Sequence, residues 1–180
     1  MSTHFTFDFD RVNNIVADAV GKPGQRTFFL QARQDRRTAT LVMEKQQVAA
    51  LAASILQLLE ELEEKHPDLT MSSLMAPERL EEPMDPAFRV GQMGLGYDEN
   101  QDMMVLVAQA LVVDDEETIS EDDVPRARFY ATREQMRALS EHALEAVASG
   151  RPDCPLCGRP IDPEGHFCPR TNGHAYPLSV

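Results

Sequence analysis

Val48, Leu51, Ile55, Leu58 and Leu62 step by 3, 4, 3 and 4 along the chain, so on a helix they form a single apolar stripe. Ala49, Ala50, Ala52 and Ala53 between them favour the same conformation. His66-Pro67 ends the run, because proline disfavours helical geometry in the residue before it. A helix with one apolar face needs a partner to cover it. The stripe runs for about two heptads, too short for a coiled coil, so the expected partner is a sheet.

Sheet material lies on both sides. His4 to Asp10 alternates Phe5, Phe7 and Phe9 with polar residues and reads as a short strand. Arg11 to Val20 reads as a short helix with Val12, Ile15, Val16 and Ala19 on one side. Gly21-Lys22-Pro23-Gly24 is a turn by composition. Thr27–Ala32 and Thr38–Met43 then form a hairpin about Gln34-Asp35-Arg36. A second pair, Phe88–Tyr97 and Met103–Val113, turns at Asp98-Glu99-Asn100-Gln101. Its second member is almost wholly apolar and is expected in the centre, covered on both faces. Ala127–Ala131 is a further strand. Thr132 begins another helix with Gln135 at capping-box spacing, and Met136, Leu139, Ala143 and Ala146/Val147 form its stripe.

The expected fold is therefore α+β: residues 1–150 as an antiparallel sheet with two main amphipathic helices, then a small zinc ribbon at 151–180. Residues 67–86, rich in Pro, Met and Glu and holding Met71, Met75 and Met84, read as a linker or long loop. Residues 114–123 read as an acidic loop. A shift of 88 residues lays Leu41-Val42 on Phe129-Tyr130, Gln47-Val48 on Gln135-Met136, and Leu51 on Leu139. That echo suggests a duplicated β-β-α unit.

All three cysteines, Cys154, Cys157 and Cys168, fall in the last 27 of 180 residues. An odd number at Cys-x-x-Cys spacing is a poor disulfide framework and a good metal framework. Cys154-Pro155-Leu156-Cys157-Gly158 has the form of a zinc knuckle, and Zn²⁺ wants four N/S ligands in a tetrahedron. His166 or His174 supplies the fourth. His166 is favoured, two residues from Cys168 and beside Gly165. A tail this short has too little apolar surface to fold unaided, so the expected role of zinc is structural. A catalytic role would need an open coordination position, with Glu164 or Asp162 as base. A redox role fits less well, since no thioredoxin-like βαβ pattern surrounds the motif.

This tail, with Gly21–Ala32, Glu44–Val48 and Phe88–Tyr97, resembles a bacterial family catalogued as domain of unknown function 3090. Its motif runs Cys-Pro-x-Cys, Asp-Pro-x-Gly-His-x-Cys, then Arg-x-Asn-Gly. The resemblance implies Cys154, Cys157, His166 and Cys168 as ligands, followed by Arg170, Asn172 and Gly173. It implies no reaction. The family's gene neighbours imply a protein partner instead, with a phosphomutase-like or kinase-like protein as candidate.

Lys+Arg number 17 against 30 Asp+Glu, a net charge of −13, which opposes nucleic-acid coating or binding to anionic membrane by bulk charge. Arg26, Arg33, Arg36 and Arg37 are the one basic cluster, a candidate contact for an anion or an acidic partner. Gly91–Gly96 matches no phosphate-loop pattern and reads as a bulge or a close backbone approach. No G-x-S-x-G appears, and His4, His66 and His142 are isolated. Met1–His4 lacks the basic and apolar runs of a signal peptide, and no apolar run is long enough to span a membrane, so the reading is cytoplasmic. These features favour a non-catalytic interaction or adaptor protein, leaning away from an enzyme. The alternatives are a metal-dependent enzyme acting at the tail and a single-stranded nucleic-acid-binding protein using Arg26, Arg33, Arg36, Arg37, Arg159 and Arg170.

Overall fold

A computed structural model describes residues 4–68, 75, 79–113, 120, 123–162 and 164–170. Along the chain these form β1 (Phe7–Phe9), β2 (Asn14–Val20), β3 (Thr27–Gln34), β4 (Arg37–Met43), α1 (Lys45–Lys65), β5 (Phe88–Asp98), β6 (Met103–Ala110), β7 (Arg126–Ala131) and α2 (Arg133–Ala148). The strands join one seven-stranded sheet in the order β1-β7-β6-β5-β4-β3-β2.

The sheet is mixed, where a purely antiparallel one was expected. β4 and β5 pair in parallel through Leu41–Phe88 and Val42–Arg89, and β1 and β7 pair in parallel through Phe7–Ala127 to Phe9–Phe129. The physical reason lies in the connections. A tight turn reverses the strand direction, whereas a crossover through a helix such as α1 returns the chain to the end where it began. β1 and β2 stand at opposite ends of the strand order, yet only residues 10–13 separate them. Four residues reach on the order of 17 Å, so the two edges curl round toward each other.

The segment expected as a short helix at 11–20 is instead strand β2, paired residue for residue with β3 from Asn14–Arg33 to Val20–Thr27. Asn14, Ile15, Val16 and Ala17 are all buried in succession. A one-sided helix cannot bury four consecutive residues, whereas a strand covered on both faces does. α2 packs on β2 and α1 packs on α2. Each half of the chain is therefore three antiparallel strands and a helix, β2-β3-β4-α1 and β5-β6-β7-α2, rather than β-β-α. The helices start 88 residues apart, at Lys45 and Arg133.

The core is continuous across both halves. Phe9, Leu30, Leu41, Ile55, Met104, Leu106, Phe129 and Met136 are fully buried, and the Phe9 and Phe129 rings lie 5.4 Å apart. On α1 the buried stripe is Val48, Leu51, Ala52, Ile55, Leu59 and Leu62, with Leu58 only partly covered beside it. β6 is central as expected, but its burial alternates and it ends at Ala110; Leu111, Val112 and Val113 are exposed. Gly91 sits at a bulge in β5, where a Cβ would lie 2.7 Å from Leu111 Cα, the close backbone approach the sequence suggested.

Buried Gln31 ties down the segment before β5. Its Nε2 donates to Thr40 Oγ1 (3.0 Å) and to Glu81 O (2.9 Å), while its Oε1 accepts from Glu81 N–H (2.7 Å). Within the 67–86 loop Met75 is exposed and Met84 half-buried, and Met71 lies outside the described residues. Of the acidic stretch 114–123, only Ser120 and Asp123 are described.

Candidate metal centre

The tail folds back through two tight reversals. In the first, Gly158 N–H donates to Cys154 O and Cys154 N–H to Arg159 O, each at 2.8 Å. In the second, Gly165 N–H donates to Asp162 O at 2.8 Å. Gly158 (φ 70°) and Gly165 (φ 95°) both occupy the left-handed region that glycine adopts without steric cost. Each reversal therefore ends in a residue type that can close it.

These turns bring one donor atom each from Cys154, Cys157, His166 and Cys168 to within 4.8 Å of one another. Cys154 Sγ lies 3.9 Å from Cys168 Sγ, and Cys157 Sγ lies 3.3 Å from His166 Nε2. A tetrahedral ion with bonds of roughly 2.3 Å to sulfur and 2.0–2.1 Å to nitrogen would space its ligands by about 3.8 Å (S–S) and 3.6 Å (S–N). The donor set and its spacing fit a metal ion. Cys154 and Cys168 are buried, Cys157 and His166 partly so. The Arg159 backbone hydrogen bond draws the Cys157 thiol downward, but desolvation and the adjoining Cys154 and Cys168 thiols outweigh it and hold its pKa above the ordinary value. Bringing a cation here means displacing those protons.

Among the described residues His166 is the histidine that joins the three cysteines; His174 lies outside them. Asp162, one of the two acids considered as a base, is ion-paired with Arg151 at 2.7 Å. His142 Nε2 contacts Asp18 Oδ2 (2.9 Å), and His66 N–H closes the end of α1 on Leu62 O.

The four arginines do not form one patch. Arg26 lies at one end of β3, where its Nη1 donates to Ala146 O (2.7 Å) at the close of α2 and its guanidinium covers the Phe28 ring. Arg33, Arg36 and Arg37 surround the hairpin at the other end. Arg33 pairs with Glu81 (3.2 Å), Arg37 lies over the Phe9 ring, and Arg36 is exposed at the tip. Composition had marked them because they are near in sequence; eight residues of extended strand hold Arg26 roughly 25 Å from the rest. Missed in the sequence were Lys45, Arg89 and Arg151, which join Arg26 around a cleft of about 450 Å³. They are scattered along the chain, so no local pattern announces them.

Fold and site together define an α+β protein with a Cys₃His cluster, able to hold a metal ion, at the end of its chain. The chain belongs to the family described as protein of unknown function (DUF3090), which matches residues 7–168 and so takes in all four candidate ligands. No curated protein and no solved structure shows significant similarity to it. Among the described residues no helix is long and apolar enough to cross a membrane.

Proposed function

We propose that the cluster is a structural zinc site and that the protein is a non-catalytic interaction or adaptor protein. The observation that carries the first part is the closed donor set. Three sulfurs and one imidazole supply the four donors a tetrahedral ion needs, and structural zinc sites are closed while catalytic ones keep a position for water or substrate. Softness of the ligands favours zinc over magnesium, calcium or manganese. Three free cysteines suit a reducing compartment such as the cytoplasm.

The second part is supported by what the two metal turns display. Leu156, between Cys154 and Cys157, is 49% exposed, and Phe167, between His166 and Cys168, is 68% exposed. Ordering both turns about an ion presents these apolar side chains outward. An aromatic anchor held on a rigid turn is what a partner's pocket recognises. The partner is another protein.

Native mass spectrometry of the protein from its own cells tests this reading. A co-purifying protein is expected on the zinc-loaded chain and should be lost in the double variant Leu156→Ser/Phe167→Ser, which keeps its zinc. A partner retained by that variant, or a zinc-loaded chain that binds no protein and turns over a substrate, would overturn it.

A further inference from the structure

The cleft that the sequence did not announce lies between the main sheet and the start of the tail. Four cations line it, Arg26, Lys45, Arg89 and Arg151, against two acids, Glu44 and Asp153. In a chain with a net charge of −13, this is a local reversal of sign. Glu44 is engaged by Arg89 in an ion pair, and Arg151 is engaged by Asp162. Two cations, Arg26 and Lys45, then remain against one lining acid, Asp153, and both cations meet at Gly150. A Cβ placed on Gly150 would stand 2.9 Å from Arg26 Nη2 and 3.2 Å from Lys45 Nζ, so the two charged groups are no more than about 6 Å apart. The missing side chain at Gly150 is what leaves room for them. Arg26 is held there by its other nitrogen, Nη1, which is bound to Ala146 O.

Two like charges at that distance repel, and the last carbonyls of α2, Ala146 O and Val147 O, lie beside the same point; an anion between the two cations would relieve the repulsion. Such an anion would receive charge-assisted hydrogen bonds from both groups. Phe28 and Met43 give the cleft an apolar wall, and its volume falls in the range of small-molecule sites. We infer that this cleft binds a small phosphate-bearing molecule, its phosphate seated between Arg26 and Lys45 with Arg151 alongside. The inference does not rest on the identity of the metal or on the adaptor role.

The test is titration of the metal-loaded full chain with inorganic phosphate and with pyrophosphate, followed by calorimetry and by amide NMR shifts. Saturable binding of one anion per chain is expected, with shifts centred on Gly150 and the first turn of α1. Lys45 is an exposed helix-start residue, so Lys45→Gln should remain folded, and it should weaken binding about tenfold or more, the effect of one charge-assisted hydrogen bond. Arg36→Gln, at the far hairpin tip, should leave binding unchanged. Absence of saturable binding by either anion, equal affinity in Lys45→Gln, or an equal loss in Arg36→Gln would overturn the assignment. So would binding of a phosphorylated peptide with neither free anion bound.

Discussion

Gln47 and Gln135, 88 residues apart, make the same pair of contacts in the two halves of the molecule. Each Oε1 accepts the backbone N–H of its helix's N-cap residue, Glu44 at 2.8 Å and Thr132 at 2.9 Å. Each Nε2 donates 3.0 Å to a backbone carbonyl where the other half's first strand begins, Val90 O and Val12 O. One amide thus satisfies an orphan helix-end donor and joins the halves at once.

Gln47→Ala and Gln135→Ala should therefore each cost about 1–2 kcal/mol, the range of a lost cap plus a lost hydrogen bond. Urea denaturation of both variants and of the pair checks this. The two losses should be similar and close to additive, because the sites share no partner.

Gln31 binds the 79–86 segment through both ends of its side chain. Gln31→Leu leaves the Glu81 amide and carbonyl without these partners and should destabilise by about 1–3 kcal/mol. Limited proteolysis within 67–86 should accelerate more than global stability falls, since the tether is local.

The Tyr97 hydroxyl, desolvated and donating to Asp102 Oδ1 at 2.6 Å, has its pKa raised to about 12. Because the folded state keeps this proton where the unfolded state releases it near 10, Tyr97 makes stability fall as pH rises from about 10 to 12. Asp102→Asn should bring the Tyr97 midpoint back toward the ordinary value in a phenolate absorbance titration. An unchanged midpoint would leave desolvation as the sole cause.

What was legible in the sequence was mostly local. The three cysteines lie within residues 154–168, so their spacing pointed to a metal site, while the fourth ligand stayed open between His166 and His174. The start of α2 was legible because Thr132 and Gln135 form a standard capping pair; that of α1 was not, because Glu44 takes the N-cap position. β2 was misread because apolar residues at 12, 15, 16 and 19 suit either a helix or a strand, and only pairing with β3 decides. The parallel pairs and the cationic cleft depend on which distant segments meet, which no single stretch encodes.

Metal content of Cys157→Ser against the parent chain tests the central claim most directly, with Co²⁺ absorption reporting the ligand set. The parent should hold one ion per chain, show a tetrahedral thiolate-rich Co²⁺ spectrum, and release the ion as pH falls and the thiols regain their protons. Cys157→Ser should lose the ion while residues 4–150 keep their fold, since the hydrophobic core lies wholly within Phe9–Ala143. Metal retained in that variant, or none in the parent, would contradict the account.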